Sequence, residues 1–191
     1  MTPIRKAKIT CFAYGSNMLS ARMCQSDRVP SARPVGIGYI TGYRLTFDKV
    51  SRKDGSGKCD AEWTGNVADR VYGVLYSVDK SEKTRLDKAE GLNDGYKQRS
   101  VPVVTAHGEK DAVMYFATSK DPSLQPYHWY KALVIAGAVE HGLPFGYIEL
   151  LRTVGSTQDQ DLVRRADHER LLTTPQEMMR SSRNRRKPSA D

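Results

Sequence analysis

An eight-residue run of β-branched and aromatic residues near the middle of the chain constrains the fold most. Residues 71–78 read Val-Tyr-Gly-Val-Leu-Tyr-Ser-Val, a composition typical of a buried β-strand, and Asp79 ends the run. Glu82 follows Asp79 at the spacing of a capping box, so the sequence predicts a helix over residues 80–90. Gly91 is expected to cap that helix. The centre of the chain is therefore predicted to be a strand followed directly by a helix.

Shorter patterned segments lie on both sides of this run. The sequence predicts strands over 8–14, 100–105 and 112–118, one or two half-buried strands over 35–48 with a break at Gly42, and helices over 20–24, 127–141, 145–153 and 162–172. Residues 54–58 are predicted to form a flexible loop and residues 107–110 a hairpin-like turn. Because strands and helices do not alternate regularly, we expect a mixed α+β domain with a curled, mostly antiparallel sheet.

The length of 191 residues favours one domain with an appendage. We assign residues 1–173 to the domain and residues 174–191 to a basic tail. The tail holds five of the Arg and Lys residues against one Glu and one Asp, and part of the net charge of +8 comes from it. Its last eleven residues have no apolar side chain larger than alanine, so we expect them to be disordered and solvated.

Cysteine and histidine usage argues against disulfide and metal chemistry. Cys11, Cys24 and Cys59 are odd in number and lack CxxC spacing, which favours reduced, packed thiols. The four histidines are scattered without metal-ligand spacing, so we expect no metal. No apolar run approaches the roughly 20 residues that span a bilayer. The start of the chain also lacks the apolar core of a signal peptide, and a cytoplasmic location is expected.

Residues 13–17, Ala-Tyr-Gly-Ser-Asn, directly follow the apolar segment 9–12. A strand that breaks into a Gly-Ser-Asn turn exposes several backbone N–H groups in one place, and such a turn can cradle an anionic or polar ligand. The same residues also occur in ordinary turns. The turn by itself therefore leaves both a ligand site and a plain connection open.

Glu90 is the most informative titratable residue. If the helix ends at Gly91, this carboxylate lies on the last turn, where the helix dipole is unfavourable to anions. Partial burial would raise its pKa further, and a carboxylate of that kind can accept and return a proton near neutral pH. A surface glutamate beside a helix cap is the alternative. Asp87 projects from nearly the same helix face, and we assign it no catalytic role.

Taken together, four blocks of the sequence resemble the γ-glutamylcyclotransferase family, also called the AIG2-like superfamily. The blocks are residues 12–17, 71–76, 86–91 with Gly95-Tyr96, and 137–144 with Tyr147. They occur in the family's order between about residues 11 and 151. The resemblance implies a small mixed, mostly antiparallel β-barrel or curled sheet surrounded by helices, with the active site in a cavity at the barrel.

The resemblance also implies roles for individual residues. Glu90 would be the general acid/base. Tyr115 would line the pocket together with Tyr130, although Tyr127 could occupy that second place. The γ-glutamyl group would be held by the loop Cys11, Phe12, Ala13, Tyr14, Gly15, Ser16 and Asn17. The expected activity is a cofactor-free cyclisation that releases 5-oxoproline from a small γ-glutamyl compound, with no metal and no membrane partner.

Two other functions stay open at this point. A protein of the same fold could bind γ-glutamyl metabolites as a regulator without turning them over, although the presence of Glu90 argues against this. A basic nucleic-acid-binding module is the third reading. It has less support, because the sequence shows no RNA- or DNA-binding motif and no stacking aromatics on a basic face. The basic tail could still bind polyanions weakly.

Overall fold

The computed structural model describes residues 7–92 and 95–173, and within them a closed barrel organises the chain. Seven strands are present: β1 Lys8–Ala13, β2 Arg33–Thr41, β3 Tyr43–Val50, β4 Gly57–Trp63, β5 Arg70–Asp79, β6 Tyr96–Thr105 and β7 Gly108–Ala117. Five of them form the barrel in the order β1-β5-β2-β6-β7, and β3 pairs with β4 in a separate hairpin. The expected mixed, mostly antiparallel barrel is confirmed.

The run that begins at residue 71 is the central strand of this barrel. β5 pairs antiparallel with β1 on one side and with β2 on the other. β6 and β7 form a long hairpin, which joins the barrel where Tyr39 of β2 lies opposite Val104. The barrel closes where Cys11 of β1 lies opposite Val113 of β7, and this pairing is parallel. The side chains of Val71, Val74 and Tyr76 on β5 are fully buried, so both faces of this strand are covered.

Among the described residues, five α-helices surround the barrel: α1 Ser20–Met23, α2 Lys83–Glu90, α3 His128–Glu140, α4 Phe145–Thr153 and α5 Leu162–Glu169. Short 3₁₀ turns precede α1 and α2 and follow α5. In the part of the chain that is described, no helix is long and apolar enough to cross a bilayer. All the predicted helices are present, with α5 ending three residues early in a 3₁₀ turn. The basic tail lies outside the described residues, and the domain boundary at 173 remains a prediction.

Two local predictions were wrong in detail. Asp79 does not cap the following helix with its side chain, which instead pairs with Lys8, and residues 80–82 form a 3₁₀ turn before α2 starts at Lys83. The capping box fails because Asp79 is still part of β5. Residues 54–58 are also not a plain loop. Asp54 accepts hydrogen bonds from Ser56 and Lys58, and β4 begins at Gly57. Gly91 has φ of 71° and caps α2 as predicted.

Helix α3 packs directly on the turn that follows β1. A Cβ atom on Gly137 would lie 2.4 Å from the backbone nitrogen of Leu19 and 2.7 Å from the carbonyl carbon of Met18. Such separations are too short for real atoms, so only glycine allows this contact between α3 and the turn. Tyr76 of β5 fixes the same turn from the barrel side, because its hydroxyl donates to the carbonyl oxygen of Met18 at 2.7 Å.

We expect Gly137→Ala to lower the free energy of unfolding by about 1–3 kcal/mol, because the added methyl group meets backbone that cannot move aside. Gly146→Ala in α4 is the matched control, since a Cβ there meets nothing within 4 Å. In the control, alanine should raise the free energy of unfolding by up to about 1 kcal/mol, as it usually does in a helix. Urea unfolding of both variants measures the difference. Equal effects at the two positions would contradict the packing argument.

Candidate active site

A cavity of about 50 Å³ lies where the turn after β1 meets α2, α3 and three further strands. The residues that line it are Phe12, Ala13, Tyr14, Gly15, Ser16, Asn17, Cys59, Glu90, Tyr96, Tyr115 and Tyr130. Nine of the ten residues predicted for the site are in this lining. The tenth, Cys11, lies on β1 at the barrel closure and is not among the described residues that line the cavity.

The turn after β1 presents backbone donors to this cavity. Residues Ser16–Met18 form a 3₁₀ turn, and the first N–H groups of such a turn have no acceptor within it. Within the described residues, the N–H groups of Gly15, Ser16 and Asn17 have no protein acceptor. Gly15 sits close to its neighbours, because a Cβ there would be 3.1 Å from the Cβ of Cys59. The turn can therefore donate hydrogen bonds to a ligand.

Glu90 is the last residue of α2 and is held against the turn by a polar chain. The amide nitrogen of Asn17 donates to Oε1 of Glu90, and Arg28 donates to the amide oxygen of Asn17 at 3.1 Å. Burial raises the pKa of the Glu90 carboxyl, while the guanidinium groups of Arg28 and Arg22 and the Asn17 hydrogen bond oppose that rise. The carboxyl is thus shifted toward neutral pH yet can still ionise.

Two of the predicted tyrosines, Tyr115 and Tyr130, lie in the wall of the cavity. The hydroxyl of Tyr115 donates a hydrogen bond to Asp87 at 2.6 Å. Asp87 lies on the same helix as Glu90, and this contact gives its carboxylate a structural role. Tyr130 accepts a hydrogen bond from the backbone N–H of Cys59 at 3.1 Å. The alternative, Tyr127, points elsewhere and donates to the carbonyl of Asp54 at 3.0 Å. Of these two alternatives, Tyr130 is among the described residues that line the cavity and Tyr127 is not.

Sequence reasoning missed Cys59 and Tyr96. Tyr96 donates to the carbonyl of Cys59 at 3.1 Å, so the two residues form one side of the wall. Gly95-Tyr96 belongs to one of the four blocks and so points to Tyr96. Cys59 directly follows the loop predicted over 54–58, and no sequence pattern marks it as a site residue. Burial raises the pKa of the Cys59 thiol to about 12, and the same cause gives the same value for Cys11. Both thiols are therefore protonated near neutral pH and are poor nucleophiles.

A hydrogen bond from Tyr14 connects the turn after β1 to β7, the strand that β1 meets where the barrel closes. The ring of Tyr14 is buried, and its hydroxyl donates to the carbonyl oxygen of Tyr115 at 2.5 Å. The strand that precedes the turn and the strand that carries Tyr115 are thereby held at a fixed separation. The position of the turn relative to Glu90 depends on this hydrogen bond and on the Asn17 contact.

Comparisons with known proteins agree with this geometry. A model of the AIG2-like family matches residues 70–151. The γ-glutamylcyclotransferase of Homo sapiens is 32% identical over 151 residues, which cover 75% of this chain and 77% of that protein. The mouse protein of the same name is 31% identical over the same length. A solved structure of a γ-glutamyl cyclotransferase superposes with a TM-score of 0.78 at 28% identity, covering 88% of this chain and 100% of that one.

The raised pKa of Glu90 predicts a pH-dependent stability difference between the wild-type protein and Glu90→Gln. Below the ordinary glutamate value of 4.5 both folded and unfolded proteins carry a neutral carboxyl. As the pH rises, the unfolded chain ionises more readily than the folded one, which destabilises the wild type but not the variant. In chemical unfolding we expect the variant to gain stability relative to the wild type as the pH rises above 4.5, until the folded carboxyl also ionises. A difference that does not change with pH would contradict this.

Proposed function

The chain belongs to the γ-glutamylcyclotransferase family and is an enzyme of that class, and we propose that Glu90 moves the proton in its reaction. The observation that carries the proposal is the contact between Asn17 and Glu90. It places the only carboxylate in the lining of the described cavity against the turn that offers backbone donors. The turn 12–17 then binds the γ-glutamyl group, and Tyr115 and Tyr130 limit the space around it.

The reaction needs little more than orientation and one proton carrier. In a γ-glutamyl amide the free α-amine attacks the γ-carbonyl carbon, a C–N bond forms, and the bond to the departing nitrogen breaks. The products are 5-oxoproline and an amine, amino acid or peptide. Because the nucleophile and the electrophile belong to one molecule, holding the substrate in a folded shape supplies much of the rate.

Glu90 serves both proton transfers. Its carboxylate takes a proton from the α-ammonium and gives it to the departing nitrogen, and the raised pKa suits both steps near neutral pH. The guanidinium groups of Arg22 and Arg28 near this carboxylate repel the positive charge of the substrate ammonium. They therefore also favour the neutral, nucleophilic form of the substrate amine.

The backbone donors of the turn can stabilise the negative charge that develops on the substrate during the reaction. The tetrahedral intermediate carries an oxyanion, and the N–H groups of Gly15, Ser16 and Asn17 can bind either that oxygen or the substrate α-carboxylate. A covalent intermediate is not required. Ser16 lines the cavity, but none of the described histidines contacts it, so it lacks the base that a serine nucleophile needs.

Replacing the proton carrier should stop turnover. We expect Glu90→Gln to lower kcat for 5-oxoproline release by about 10²–10⁴-fold, because the amide cannot accept the ammonium proton. The assay incubates the purified protein with a panel of γ-glutamyl amino acids and γ-glutamylamines. Glu109→Gln, an exposed residue of β7, is the matched control and should keep wild-type activity. Full activity in Glu90→Gln would remove Glu90 from the mechanism.

The same panel separates the enzyme from a binding protein. Turnover of at least one compound supports the proposal. Binding of a γ-glutamyl compound without 5-oxoproline release would favour the non-catalytic reading of the fold.

Asn17 acts on the reaction through Glu90. Its hydrogen bond stabilises the ionised carboxylate, so Asn17→Ala should raise the pKa of Glu90 further. The fall of kcat/KM on the acid side of the pH profile should then move to higher pH. Asn66→Ala, in an exposed turn, should leave the profile in place. A loss of activity in Asn17→Ala with an unshifted profile would indicate a structural role only.

A further inference from the structure

A second, larger space opens directly from the catalytic cavity. It has a volume of about 280 Å³ and shares five lining residues with the cavity: Ser16, Asn17, Glu90, Tyr96 and Tyr130. We call it the basic cleft, because eight Lys and Arg side chains line it against two carboxyl groups, those of Asp54 and Glu90. A substrate whose γ-glutamyl end lies in the cavity can extend its other end into this space, because Glu90 lines both.

Two of these cations already have anionic partners in the protein. Lys58 lies 2.8 Å from Asp54, and Arg164 lies 2.5 Å from Asp159. Lys58 also packs over the rings of Trp129 and Tyr130, with its nitrogen 4.8 and 4.7 Å from their centres. Lys58 and Arg164 therefore line the basic cleft with charges that Asp54 and Asp159 largely balance.

Four other cations of the cleft have no carboxylate at ion-pair distance within residues 7–92 and 95–173: Arg22, Arg28, Lys53 and Lys88. Lys53 and Lys88 are exposed, whereas Arg28 is partly buried and donates a hydrogen bond to the neutral amide of Asn17. Cations at a concave surface raise the local concentration of anions and bind them more strongly than they would on a convex surface.

The burial and hydrogen bonding of Arg22 give the strongest evidence that the basic cleft binds an anion. Its side chain is buried, its Nε has no hydrogen-bond partner in the described part of the chain, and its Nη1 lies 3.3 Å from Nδ1 of His168. His168 offers no negative charge, and burial lowers its pKa to about 4, so the ring is neutral at physiological pH. Burial also lowers the pKa of Arg22 to about 10. Arg22 has no carboxylate at ion-pair distance among the described residues, and a ligand carboxylate would offset the cost of burying its charge.

We propose that the basic cleft selects a leaving group that carries a side-chain carboxylate, so that the preferred substrates are γ-glutamyl derivatives of acidic amino acids. This inference rests on the proposed function. An ordinary γ-glutamyl amino acid brings two carboxylates, one at each α-carbon. The four cations that have no carboxylate at ion-pair distance among the described residues exceed that number, and a third carboxylate placed among Arg22, Arg28, Lys53 and Lys88 improves the charge balance without any change in the cyclisation itself.

The test compares two peptides of equal shape that differ by one charge. We expect kcat/KM for γ-glutamyl-glutamate to exceed that for γ-glutamyl-glutamine by about tenfold at low salt. The ratio should fall toward one as the ionic strength approaches about 1 M, where charges are screened beyond about 3 Å. A ratio of one or less at low salt would overturn the inference and leave the cyclotransferase activity standing. Absence of 5-oxoproline with both peptides would overturn both proposals.

Charge removal at the mouth of the cleft localises the effect. In the double variant Lys53→Gln/Lys88→Gln we expect the ratio of the two kcat/KM values to fall about threefold or more, through KM rather than kcat. Lys97→Gln/Lys110→Gln removes two exposed charges from β6 and β7, outside the cleft, and is the matched control. It should keep the wild-type ratio. An equal fall in both double variants would mean that only the net charge matters, and would overturn the assignment to the cleft.

Discussion

The antiparallel pairing of β5 with β1 is the constraint on which the catalytic arrangement depends. Lys8 lies opposite Asp79 and Ala13 opposite Val74, so β5 ends beside the start of β1, at the far end from the turn 12–17. Helix α2 has to carry the chain back toward that turn. Its eight residues rise about 12 Å, which is most of the length of a six-residue strand. Because α2 ends at Glu90, this side chain lies next to Asn17.

Two opposing effects meet at Glu90 once it is there. The protein removes the carboxyl from bulk water, which favours its neutral form, and surrounds it with an amide donor and guanidinium groups, which favour its ionised form. Neither effect alone gives a group that both accepts and releases a proton. The arginines belong to the same basic region that faces the departing half of the substrate, so tuning of the acid/base and recognition of the leaving group depend on shared residues.

The sequence predicted those parts of the site that local chemistry marks. The strand before the turn, the Gly-Ser-Asn turn, the helix that ends at Glu90 and the strand of Tyr115 could each be identified from neighbouring residues and from the family resemblance. Cys59, Arg22 and Arg28 could not be. They reach the site through contacts between distant segments, such as the hydrogen bond from Arg28 to Asn17 and that from the Cys59 N–H to Tyr130. The failed cap at Asp79 has a related cause, because pairing with Lys8 took the place of a local contact.

The hydrogen bond from Tyr14 to the carbonyl of Tyr115 joins residues 101 positions apart, at the seam where β1 meets β7. Contacts between such distant parts of a chain carry a large loop-closure cost and tend to slow folding. During synthesis, β1 and the turn emerge long before the strand they must meet. A chain that stops short of Tyr115 therefore has the turn and Glu90, but not the hydrogen bond that holds the turn against the last barrel strand.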